Sequence, residues 1–268
     1  MDVMVNPIRR ELRDGLGIVT LQRPDRLNAL HTPMARQLGE AVRDLAAEPG
    51  ARALLIRADG PYFTAGGDVG FFRDALADGP EAAQTAFAEL IDAVHAVILT
   101  LTALPVPVVA AVQGGAAGIG ISLLAACDFV VAERTAIFNT AYINLGASPD
   151  GGSTWLLPRL LGLRAARRLL MLGKNLDAET ALDIGLIDRT VEPDEVDRAA
   201  ESFARELAAG PTAAYGRIKR LLADSPDRPL SGQLDAEKAA FLSGLATADF
   251  REGLAAFTQR RKPVFPGR

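Results

Sequence analysis

Cysteine is almost absent. Cys127 is the only one in 268 residues, so no intrachain disulfide can form. Histidine is nearly as scarce: His31 and His95 stand far apart and belong to no Cys/His pattern with zinc spacing, which argues against a metal site and against a histidine-based triad. No stretch approaches the roughly 18 uninterrupted apolar residues of a membrane span, and the opening MDVMVNPIRRELRDG lacks a long apolar h-region. The expectation is a cytoplasmic protein with no membrane partner. An excess of one charge is missing too. The 29 basic and 33 acidic residues are interspersed and leave −4, which speaks against a nucleic-acid partner held by a basic stripe. A short basic run does close the chain at Arg260, Arg261, Lys262 and Arg268, and such runs are usually solvated.

What is present is the 49% hydrophobic and 23% charged content of an ordinary globular chain, long enough to bury a substantial core. Ile8 to Arg13, Asp14-Gly15 and Leu16 to Leu21 read as strand, tight turn and strand, because Asp-Gly supplies the positive φ angles of a hairpin. Thr32-Pro33 opens a helix to about Glu48, with Thr32 expected to cap a proline at the first helical position. A similar series follows: strand Ala53 to Ala58, helices within Val69 to Leu104, strand Val108 to Val112, helix Ala117 to Ala126 and strand Phe129 to Ala132. From about Asp194 the strand signals vanish and the pattern is helical. This gives an α/β core over residues 1–193 and a helical region over 194–268, whose apolar faces must pack on the body or on another subunit.

Two glycine-rich stretches carry the chemistry. FTAGGD, Phe63 to Asp68, follows the strand ALLIRA, and GGAAGIG, Gly114 to Gly120, follows VPVVAAV and runs into an apolar helix. Turns at strand ends and helix starts expose unpaired backbone N–H groups, and two of them can hold one negatively charged oxygen, as an enolate requires. A dinucleotide fingerprint is a poorer reading: Gly115, Gly118 and Gly120 give G-x-x-G-x-G, not G-x-G-x-x-G, and no acidic residue closes a strand at the expected distance. Tight chain reversal alone would also account for either turn.

In order along the chain stand LQRPDRLNAL (Leu21 to Leu30), FTAGGDV (Phe63 to Val69), VQGGAAGIG with its following ACD (Val112 to Asp128), LGASPDGGSTWLLPRLLG (Leu145 to Gly162) and FTQRRKPVFPGR (Phe257 to Arg268). Together these resemble the crotonase superfamily, the enoyl-CoA hydratases and isomerases, over nearly the whole length. The resemblance implies a spiral of strand-strand-helix turns ending in a helical trimerisation region, a homotrimer or homohexamer, an acyl-CoA thioester as substrate, and no metal or redox cofactor. It places the oxyanion-hole amides on Ala65 and Ile119. It lays CoA across the FTAGGD loop, with Arg26, Leu27 and Ala29 near the pantetheine and phosphates, and Lys262 of a neighbouring subunit reaching the nucleotide phosphates. Thr64, Gly66, Gly67, Asp68, Val69, Gly115 and Gly118 complete that binding surface.

Hydratases of this family use two glutamates, and their positions are occupied here by Ser122 and Tyr142. Neither side chain replaces a carboxylate base near neutral pH. The remaining acid in that neighbourhood is Asp150 in SPDGG, where isomerases of the family, including the ring-1,2-epoxyphenylacetyl-CoA isomerases, often carry Asp or Glu. Isomerisation needs one base, and Asp150 is its candidate; the same residue suits a helix N-cap. Asp68 is expected to shape its turn or cap the next helix. Tyr142 is expected to line the acyl pocket beside Phe71, while Phe72 and Trp155 read better as core. A hydratase and a non-catalytic acyl-CoA-binding relative are the alternatives.

Overall fold

The computed structural model describes residues 6–268; Met1 to Val5, part of the opening stretch and of the 1–193 span, lie outside the described residues. Strands β1 (Ile8–Arg13) and β2 (Leu16–Leu21) form an antiparallel hairpin around Asp14 and Gly15, both with positive φ, as the Asp-Gly pair demands. Helix α1 (Thr32–Ala47) follows, but Thr32 does not cap it: the helix already begins at Thr32, His31 takes the extended position before it, and no side chain caps the first turn. The proline in that turn lacks an N–H, so one fewer donor needs a partner.

Strand β3 (Ala53–Ala58) leads through the first glycine-rich turn to α2 (Val69–Ala77) and α3 (Pro80–Ala103). By length and composition α3 could cross a membrane; its Leu90, Val94, Val97 and Leu101 are instead buried in the main core. Strand β4 (Val108–Val112) precedes β5 (Gly115–Ala117) and α4 (Ile119–Ala126). The helix expected from Ala117 thus starts at Ile119. Gly118, at φ +52, separates it from residues that pair as a strand with β7.

After β6 (Phe129–Glu133) and β7 (Ile137–Asn139) come α5 (Ser153–Leu161), α6 (Leu163–Leu172), β8 (Leu176–Asp177), α7 (Ala178–Asp183) and β9 (Arg189–Val191). Helices α8 (Val196–Ala208), α9 (Thr212–Asp224), α10 (Leu230–Gly244) and α11 (Ala248–Gln259) end the chain. The main sheet runs β1-β2-β3-β4-β6-β9, parallel from β2 onward, and the small sheet runs β5-β7-β8.

Alternation along the strands divides the core. Leu54, Ile56, Val108, Ala110 and Val112 face the cluster that holds α1, α3 and α4, whereas Leu16, Ile18, Leu55, Val109, Ala111 and Val131 face Val196, Ala200, Ala204 and Leu207 of α8. Both faces of the parallel sheet are therefore covered, as such sheets require. Successive coils also touch at the small sheet's side, where Leu30 bridges Gly67 and Thr64 bridges Ala116. That stacking brings the two glycine-rich turns together.

Candidate active site

The first wall is a loop held in an uncommon conformation. Leu27 and Asn28 both have positive φ, 49° and 53°, a strained arrangement for non-glycine residues. The Asn28 side chain secures it. Its Oδ1 accepts the Arg23 amide at 2.7 Å, and its Nδ2 donates to the Asp59 and Tyr62 carbonyls at 2.9 and 2.8 Å. The Asn28 carbonyl takes the Thr64 hydroxyl at 2.8 Å. Fully buried and fully bonded, Asn28 fastens LNAL to FTAGGD. Arg23 adds a second clasp, donating to the Ala29 carbonyl at 3.0 Å and to Asp68 Oδ2 at 2.6 Å. Asp68 Oδ1 meanwhile caps α2 through the Gly70 and Phe71 amides. Burial would raise the Asp68 carboxyl; the hydrogen bonds from Arg23 and the two amides outweigh it and hold the group below its ordinary range.

The turns meet at glycine. A Cβ on Gly66, whose φ is +91°, would lie 2.6 Å from the Ala117 carbonyl, and one on Gly67 would strike the Phe72 ring. The Ala117 amide donates to the Thr64 carbonyl at 3.0 Å across the junction. Beyond it, the Ile119 and Gly120 amides open α4 with no protein acceptor among the described residues, as first-turn donors do. The Ala65 amide is placed differently: it donates to the Leu27 carbonyl at 2.9 Å.

Ser122, fully buried one turn into α4, faces the second wall. Its hydroxyl points to the Asp150 carbonyl at 3.4 Å, and Gly151 packs so closely that a Cβ there would lie 3.1 Å from both Ile119 and Ser122. The Tyr142 hydroxyl donates to Asp150 Oδ1 at 2.5 Å. Ser122, Tyr142 and Asp150 thus converge beside the start of α4. Burial, followed by the Asp150 charge, pushes the Tyr142 hydroxyl far above its ordinary value and keeps it a donor. Asp150 does not cap α5: Gly152 holds the cap position, because two consecutive positive-φ glycines turn the chain before the helix starts.

Phe72 stacks on Phe87 with centroids 4.7 Å apart, and Phe71 lies edge-on at 6.2 Å, forming an aromatic cluster just past Asp68. Trp155 is not core: it is 47% exposed beneath the Arg159 guanidinium. Arg26 and Val69 are exposed and Ala29 is buried around the first turn. Gly115, at φ +141, lies in β5 against the Ile137 carbonyl. The tail that carries Lys262 binds Arg52 through the Phe265 carbonyl, and Arg52 precedes β3 whereas FTAGGD follows it. Sequence reasoning misses the roles of Arg23 and Asn28: both lie in LQRPDRLNAL, but the burial and positive φ of Asn28 are set by the fold and leave no local signal.

Two glycine-rich turns stacked by successive coils, with the unpaired amides that open α4 beside the Ser122, Tyr142 and Asp150 cluster, belong to a crotonase fold. The enoyl-CoA hydratase/isomerase family profile matches residues 11–268, and the chain belongs to that family. It is 36% identical to the 1,2-epoxyphenylacetyl-CoA isomerase of Escherichia coli, over 99% of this chain and 100% of that one. The trans-2-decenoyl-[acyl-carrier-protein] isomerase of Streptococcus mutans is 30% identical over 95% and 96%. An enoyl-CoA hydratase from Polaromonas sp. JS666 superposes with a TM-score of 0.89 at 34% identity, covering 96% of this chain and 99% of its own.

Proposed function

We propose that this enzyme is an enoyl-CoA isomerase that moves a double bond, or rearranges a ring, through a thioester enolate, with Asp150 as the single acid/base. The observation that carries the reading is the convergence of Asp150, Tyr142 and Ser122: one carboxylate stands beside the two positions where hydratases of the family have glutamates. The isomerase relatives support it.

The Ile119 amide, backed by the partial positive charge at the start of α4, is suited to the enolate oxygen. Ala65 is the second donor in this reading, once its bond to Leu27 is exchanged for the thioester oxygen. CoA lies along Arg26, Leu27, Ala29 and the FTAGGD loop, flanked by Gly115 and Gly118. The aromatic cluster of α2 and α3 borders the acyl group. In this reading the chain works as a homotrimer or homohexamer in which a neighbour's Lys262 reaches the nucleotide; the tail that carries its own is tied through Phe265 to Arg52, ahead of β3.

Asp150→Asn tests the assignment. With a 3-enoyl-CoA, formation of the conjugated 2-enoyl product falls by at least about a thousandfold, in the range of lost acid/base catalysis, while CoA binding is unchanged. Wild-type turnover in that variant contradicts the role.

A further inference from the structure

The two oxygens of the Asp150 carboxylate are not equivalent. Oδ1 accepts the Tyr142 hydroxyl at 2.5 Å, and among the described residues no donor reaches Oδ2. Both partners are fixed by their backbones. Ala141, at φ +59, launches the short 3₁₀ turn that carries Tyr142, and its amide is held by Asn139 Oδ1 at 2.6 Å. The Thr140 hydroxyl ties the same segment to α6 through the Leu169 carbonyl at 2.8 Å. On the other side, the Asp150 carbonyl faces the Ser122 and Ser153 hydroxyls, and Gly151 is wedged on Ile119. The carboxylate therefore has little freedom to rotate.

We infer that Tyr142 is a positioning residue: it occupies Asp150 Oδ1 and confines the migrating proton to Oδ2. This goes beyond lining the acyl pocket, and it rests on Asp150 being the base proposed above. In a 3-enoyl thioester, Oδ2 takes a proton from C2; the C2–H pair becomes the C1=C2 bond of a dienolate as the carbonyl pair moves onto the thioester oxygen. The oxygen pair then re-forms C=O, the C1=C2 pair shifts to C2=C3, and the C3=C4 pair takes the same proton from Oδ2 to form C4–H. The carboxylate is regenerated, nothing is oxidised or reduced, and no water takes part. A carboxyl held at Oδ1 by Tyr142 keeps its proton on Oδ2 between the two steps.

The inference predicts internal return of the label. A 3-enoyl-CoA deuterated at C2, turned over in ordinary water, keeps most of the transferred deuterium at C4 with the wild type. Tyr142→Phe removes one oxygen from the site. It is expected to lower kcat about tenfold with KM within twofold and to lose most of that deuterium to solvent. Ser122→Ala leaves the Tyr142–Asp150 bond in place and retains the label as the wild type does. If Tyr142→Phe keeps both kcat and label while Asp150→Asn is inactive, this inference alone fails. If Ser122→Ala loses label as fully as Tyr142→Phe, general shielding replaces the specific bond and the inference also fails. Isomerisation surviving in Asp150→Asn would instead remove the base assignment on which it rests.

Discussion

At the scale of single residues, Asp68 shows how one carboxylate serves two elements. Its Oδ1 caps α2 and its Oδ2 pairs with Arg23, with the two side chains 11% and 23% exposed. Asp68→Ala removes a cap and a charge-assisted bond and is expected to cost about 2 kcal/mol, seen as a fall of roughly 5 °C in Tm. The folded-state ionisation is depressed. Its stabilising contribution is therefore complete above the unfolded carboxyl's value of about 4 and is lost as pH falls through the lower folded value. Denaturant titrations of wild type and Asp68→Ala should differ most near neutrality and converge in strong acid. A constant difference across that range contradicts the role.

At the scale of elements, the spacing between the two turns is set by glycine. Gly66→Ala meets both a positive φ and the Ala117 carbonyl, so it should push the turns apart and reduce kcat about a hundredfold, read from steady-state kinetics with a melt to confirm folding. A wild-type kcat would show that the contact is not needed. These elements differ in how far the sequence reveals them. Strands β3 and β4 were legible to the residue because they are continuous apolar runs ended by glycine or polar turns, and the hairpin because Asp-Gly dictates its turn. The small sheet was not: β5, β7 and β8 are two or three residues long and exist because neighbouring coils stack. The site divides the same way. Positive-φ glycines marked the turns, but the meeting of Tyr142 with Asp150 depends on Ala141 at positive φ, which no local pattern announces. The bond from Ala65 to Leu27 likewise depends on the fold of a distant loop.

At the scale of the whole molecule, the helices after α8 leave apolar side chains uncovered. Leu222, Leu230, Phe241, Leu254 and Phe257 are each more than half exposed. Lys219 anchors α9 to the core through Asp128 Oδ2 at 2.5 Å and the Val106 carbonyl at 3.0 Å. The layer is therefore presented in a fixed position, as an assembly interface requires. Light scattering after size exclusion is expected to give three or six chains, and Phe241→Ser with Phe257→Ser a smaller species with weaker CoA binding. A wild-type monomer with full activity contradicts this arrangement.

In the proposed reading a single carboxylate, Asp150, makes this member of the family an isomerase. The most direct measurement compares kcat/KM for conversion of a 3-enoyl-CoA to its 2-enoyl isomer with kcat/KM for hydration of that 2-enoyl-CoA by the same preparation. If Ser122 and Tyr142 stand where the resemblance puts the two water-activating glutamates of hydratases, isomerisation should exceed hydration by about a hundredfold or more. Hydration as fast as isomerisation would contradict the account.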